Sequence, residues 1–114
     1  MTKARIAASV LASALIRKAE GEGGFGAVLA KGDPTAGSIL VILLEKGVNP
    51  RLFERLLQPD GSYAWQESGS QRIENSQEVP GFIARRRRFD PDLWLIELDI
   101  PSAERFAAEM NSID

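Results

Sequence analysis

Six apolar residues in unbroken succession, Ile39-Leu40-Val41-Ile42-Leu43-Leu44, constrain this chain more than any other stretch. The run is short and rich in β-branched residues, and it lacks the polar alternation of a half-exposed strand. It therefore reads as a strand buried on both faces. Such a strand needs neighbours on either side and a packed layer above and below, which places it inside a sheet carrying helices.

The rest of the chain supplies those elements. Residues 25–31 form a second apolar run, parted from the first by Gly32-Asp33-Pro34-Thr35-Ala36-Gly37. That spacer is turn chemistry throughout, and it predicts an antiparallel hairpin with the second strand central. Residues 51–57 fit a helical stripe through Leu52, Phe53, Leu56 and Leu57, but turn signals at Gly47 and at Pro59-Asp60-Gly61 favour a third strand of a meander. Tyr63 and Trp65 alternate in a fourth strand over 62–67, and residues 68–77 are polar and predicted to be a surface loop. Residues 93–100 make a last strand, with Trp94, Ile96 and Leu98 on one face and Leu95, Glu97 and Asp99 on the other.

Three segments carry helical signals. Over 3–20, Ile6, Ala7, Val10, Leu11, Ala14 and Leu15 recur at three- and four-residue spacing, Arg17 and Lys18 suit the last turn, and Gly21, Gly23 and Gly24 end it. Pro80 opens a short helix running to about Arg88, stopped by Asp90-Pro91-Asp92. Ser102 caps a last helix through Met110, with Arg105 and Glu109 at i,i+4. The expected class is α+β: a mainly antiparallel sheet of four to five strands, an N-terminal helix, a short helix before the last strand and a C-terminal helix. With 114 residues, the whole of 1–114 reads as a single domain.

Composition removes much chemistry. There is no cysteine, hence no disulfide, thiol nucleophile or sulfur metal site, and no histidine, hence none of the usual general bases near neutral pH. The 14 basic and 16 acidic residues give a net charge of −2, so no whole-molecule field draws the protein to nucleic acid or an anionic membrane. Lys3 and Arg5 precede an apolar run, but the run before Ala12-Ser13-Ala14 is too short for a secretory signal and far too short for a membrane span, so a cytoplasmic location is expected. Gly21-Glu22-Gly23-Gly24-Phe25-Gly26 satisfies the spacing of a dinucleotide-binding loop. It closes a helix and opens a strand, the reverse of what that site needs, and reads as a helix terminator.

The strongest binding signal is Arg85, Arg86, Arg87 and Arg88 in succession. Adjacent guanidiniums repel, so either carboxylates or a ligand must answer them, and Asp90 and Asp92 stand nearest. On a helix only Arg85 and Arg88 share a face, which suffices for one anion or an acidic partner but makes a small footprint for nucleic acid. Trp94 lies close in sequence and joins the candidates for that contact surface, though aromatics on strands are more often core. Asp92, Glu97 and Asp99 faintly resemble a nuclease magnesium site, but Asp99 stands where a lysine should activate water, and solvated strand-end residues explain them more simply. No cofactor and no catalytic residue is indicated.

Ser13-Ala14-Leu15-Ile16-Arg17-Lys18, Gly24-Phe25-Gly26-Ala27-Val28-Leu29, Lys31-Gly32-Asp33, Ala36-Gly37, Arg51-Leu52-Phe53 and Arg87-Arg88-Phe89-Asp90-Pro91-Asp92-Leu93-Trp94 resemble domain-of-unknown-function family 1491 along nearly the whole chain. The resemblance implies a bacterial cytoplasmic protein and a strand over 51–57, and it brings no catalytic residue. It also implies an uninterrupted acidic helix where this chain has Val79-Pro80-Gly81. Two functions fit these observations. One is a non-enzymatic interaction domain, self-associating or bound to a protein partner through residues 85–92. The other is a protein that binds a small phosphorylated or acidic metabolite with Arg85–Arg88 and nearby carboxylates.

Overall fold

The computed structural model of the protein describes residues 6–67 and 76–112. Among these, five strands form one sheet: β1 (Phe25–Ala30), β2 (Ile39–Glu45), β3 (Val48–Leu57), β4 (Tyr63–Glu67) and β5 (Trp94–Ile100), in the spatial order β1-β5-β2-β3-β4. Three helices join them: α1 (Ala8–Gly21), α2 (Val79–Phe89) and α3 (Ala103–Met110). The α+β class and the mostly antiparallel sheet are as expected, and residues 51–57 lie in a strand.

The apolar run 39–44 is buried throughout, and β2 is the middle strand. Its odd-numbered residues Ile39, Val41 and Leu43 face α1 and α3, together with Phe53, Trp65, Trp94, Ile96 and Leu98. Leu40 and Ile42 face the other way and pack with Leu52, Leu95, Leu93 and Phe82 of α2. One strand thus anchors two cores, each fully buried leucine or isoleucine contributing about 1.5–3 kcal/mol relative to exposure.

The predicted hairpin of β1 and β2 does not form. β1 and β2 are antiparallel in direction, but β5 lies between them, paired antiparallel with β1 and parallel with β2. The loop from Gly32 to Ser38 passes over the start of β5 rather than turning tightly. Asp33 N–H donates to the Asp92 carbonyl at 3.0 Å, and Trp94 N–H to the Ser38 carbonyl at 2.8 Å. The glycines of that loop serve this crossing: a Cβ at Gly32 would lie 1.9 Å from the Asp92 oxygen, and one at Gly37 2.4 Å from the same atom.

α1 starts at Ala8, later than expected; the predicted positions Lys3 to Arg5 lie outside the described residues. Ala7 caps it without a side-chain bond. The first amides go to the crossing loop instead, Ala8 N–H to the Thr35 carbonyl and Ser9 N–H to the Pro34 carbonyl. The buried stripe is Ala8, Leu11, Ala12, Leu15 and Ala19; it keeps Leu11 and Leu15 of the predicted one, while Val10 is 54% exposed. The helix crosses β1 at Gly26, where a Cβ would lie 2.6 Å from Leu98 Cδ2 and 3.1 Å from Ile16 Cγ1. The helix ends as expected, with Gly23 at φ 88°.

α2 begins at Val79, after a single 3₁₀ turn over Ser76–Glu78. Pro80 sits in the first turn, where a missing N–H costs nothing, so the helix tolerates the sequence at which the family pattern implied an uninterrupted one. The loop predicted over 68–77 falls, for 68–75, outside the described residues. Ser102 caps α3 as predicted, its hydroxyl oxygen accepting from Arg105 N–H at 3.3 Å.

Candidate interaction surface

α2 lies across one face of the sheet and sends its four arginines in different directions, as a helical step of about 100° per residue requires. Arg86 reaches Glu54 on β3, with Nη2 2.9 Å from Oε2 and Nη1 3.4 Å from Oε1. Arg87 donates from Nη1 to the Lys31 carbonyl at 2.6 Å, tying the last turn of α2 to the end of β1. Arg85 and Arg88, one turn apart, are exposed and make no ion pair or hydrogen bond among the described residues.

Asp90 and Asp92 do not answer the arginines. Asp90 Oδ1 accepts from Asp92 N–H at 3.2 Å, while its own N–H and carbonyl close the turn with Arg86 and Leu93. Asp90 spends its carboxylate on a backbone bond of the Asp-Pro-Asp corner, and the partners of Arg86 and Arg87 come from β3 and the β1–β2 loop instead.

Phe89, inside the expected 85–92 contact segment but not singled out in it, is 84% exposed at the end of α2. It follows Arg88 directly and stands four residues from Arg85, one helical turn. That i,i+4 spacing was visible in the sequence. That Phe89 is left outward follows from α2 packing on the sheet through Phe82 and Ile83.

Trp94 is buried at 6% exposure in the core facing α1 and α3, and its indole N–H donates to the Asp33 carbonyl at 2.7 Å. It lies on the opposite face of β5 from α2. The three candidate acids are dispersed along β5. Asp92 is exposed in the preceding turn, Glu97 is half-buried opposite Ala27, and Asp99 accepts from Gly47 N–H at 3.1 Å. No group of three metal-ligating side chains gathers among the described residues.

Two charge clusters elsewhere are structural. Lys18 bridges Glu109 at 2.7 Å and Glu22 at 2.9 Å, joining α1 to α3. These hydrogen bonds raise the Lys18 pKa, and the one from Lys18 lowers that of Glu109. Arg51 grips Glu67 across β3 and β4 with two 2.8 Å bonds, which hold the Glu67 carboxyl below its ordinary range. A recess of about 90 Å³ between the start of α1, the crossing loop, Arg55 and Tyr63 lies on the face away from α2. It is far below the roughly 300 Å³ of a usual metabolite site.

A family model described as a protein of unknown function, DUF1491, matches residues 6–108. The chain belongs to that family. A crystal structure of a DUF1491 protein from Caulobacter crescentus CB15 is similar at 30% identity, covering 90% of this chain and 94% of that one, with a TM-score of 0.76. Protein Atu0922 from A. tumefaciens, solved in solution, is similar at 26% identity over 90% and 92% of the two chains, with a TM-score of 0.73. No curated protein matches. The crossed-over five-stranded sheet is thus the DUF1491 fold, and no helix among the described residues is long and apolar enough to cross a membrane.

Proposed function

We propose that this DUF1491 protein is a non-enzymatic interaction domain that docks an acidic protein segment on the solvent face of α2. The observation that carries the reading is the pairing of Arg85 and Arg88, both exposed and unpartnered among the described residues, with an 84% exposed Phe89. Two guanidiniums beside an exposed aromatic ring supply charge together with an apolar anchor that a partner would desolvate, the composition of interface hot spots. The surface is the convex side of a helix, which suits a macromolecular partner better than a small anion. The missing histidine and cysteine support a non-catalytic role, and the absence of cysteine fits a cytoplasmic location.

Nuclear magnetic resonance titration tests it with three probes: an acidic peptide rich in Glu and Leu, inorganic phosphate, and a single-stranded oligonucleotide. The peptide is expected to shift the amides of Arg85, Arg88 and Phe89, in a salt-sensitive way, and Arg85→Glu/Arg88→Glu abolishes the shifts. A response to phosphate alone would replace the reading with the small-anion one. Response to the oligonucleotide alone, or none to any probe, would overturn it.

A further inference from the structure

The two edges of the sheet are finished differently. On β4, Trp65 N–H points outward and donates to Asn111 Oδ1 at 2.8 Å, so a side chain from the end of α3 occupies that edge, and the strand ends in the charged Glu67. β1, at the other edge, reads Phe-Gly-Ala-Val-Leu-Ala with no charge and no proline. Its outer side pairs with nothing among the described residues. Phe25 is 63% exposed, Val28 37%, and Ala27 is exposed as well. Sheet edges left bare and apolar invite a further strand, and proteins normally blunt them with lysine, proline or a covering side chain.

Charge at the two ends of β1 indicates which strand fits. The exposed Glu20 precedes it, Glu22 being held by Lys18, whereas Lys31 follows it, with Arg87 fastened to the Lys31 carbonyl and Arg88 beside it in sequence. The Asp33 carboxylate is turned into its own loop, accepting from the Thr35 and Ala36 amides. An antiparallel copy of β1 therefore sets the acidic start of each strand against the basic end of the other, and a parallel copy does not. We propose that β1 is the seam of a two-fold homodimer, in which two β1 strands pair antiparallel and extend the sheet to ten strands. The irregularity between Val28 and Ala30 confines regular pairing to Phe25 through Val28. The dimer is accordingly modest in affinity and weakened by salt. Its seam is distinct from the α2 surface and stands or falls separately.

Sedimentation velocity from micromolar to near-millimolar protein tests this, with circular dichroism to check folding. The wild type is expected to double in mass with concentration. Ala27→Lys places like charges beside each other near the two-fold axis and weakens association at least about tenfold. Lys31→Glu, a milder surface change, weakens it too and carries the test if Ala27→Lys does not fold. Arg85→Glu, on the α2 surface, leaves it unchanged. A wild type that stays monomeric throughout would overturn the proposal and leave β1 to a strand of another protein. Equal dimerisation of wild type, Ala27→Lys and Lys31→Glu would also overturn it, by placing the interface elsewhere.

Discussion

Arg86 on α2 and Glu54 on β3, 32 residues apart, meet at 2.9 Å with their side chains only 19% and 25% exposed. The pair is the polar end of an interface whose apolar part is Phe82 on Leu40, Ile42, Leu52 and Leu95. It stands between an exposed ion pair, worth little, and a buried one, costly to break. Glu54→Ala is expected to lower stability by about 1–2 kcal/mol in urea denaturation. A double-mutant cycle with Arg86→Met isolates the pair from the other contacts of Arg86, and a coupling near zero would show that α2 is held by its apolar side alone.

Glycines that admit a close backbone crossing should tolerate no methyl group. A Cβ at Gly24 would sit 2.0 Å from the Asp99 carbonyl oxygen, and one at Gly32 1.9 Å from that of Asp92. Backbone cannot step aside as a long side chain does, so Gly24→Ala and Gly32→Ala are each expected to cost at least about 2–3 kcal/mol. Gly21, with open space around it and no positive φ, is the control: Gly21→Ala should be neutral or stabilise by about 0.4–1 kcal/mol. Thermal melts of the three variants distinguish crowding from a general intolerance of this region.

Local pattern revealed the elements and missed their adjacency. The run 39–44 announced a doubly covered strand, and the Asp-Pro-Asp corner and the Ser102 cap marked where helices stop and start. The insertion of β5 between β1 and β2 is a pairing across more than fifty residues, to which no turn signal refers. Its trace in the sequence was the glycine-rich spacer, equally good chemistry for a hairpin. The same gap explains the site. Helical spacing separated Arg85 and Arg88 from their neighbours, but which arginines would be consumed depended on Glu54 and Lys31, brought near only by the fold.

Acid should loosen the protein through its interstrand and interhelical bridges. The Glu67 carboxyl is held below its ordinary value of 4.5 by the Arg51 hydrogen bonds, and that of Glu109 by Lys18. A depressed carboxylate pKa stabilises the folded state fully above the ordinary value, and the gain is lost as pH falls through the lowered one. Stability is therefore expected to be flat near neutrality and to decline on acidification below 4.5. Glu67→Gln should lower the neutral plateau and shallow the acid limb. Lys18 behaves in the opposite sense: its raised pKa makes its contribution complete below 10.5 and lost as alkali titrates it. Urea midpoints across pH check both limbs, and an unchanged acid slope in Glu67→Gln would remove that bridge from the account.

The edge of β4 depends on one amide. Trp65 N–H has no β3 carbonyl to reach and donates instead to Asn111 Oδ1, while its side chain is 8% exposed in the core with Phe53. Asn111→Ala leaves that donor to water or to another strand, at an expected cost of about 1 kcal/mol. Hydrogen exchange reads the position directly: the Trp65 amide should lose protection in the variant while amides of β2 keep theirs, since β2 is the central strand. The variant should also aggregate more readily, because both sheet edges would then be open where the wild type has one. Retained protection at Trp65 would mean that α3 covers the edge by packing, with Phe106 and Met110 rather than Asn111 closing it.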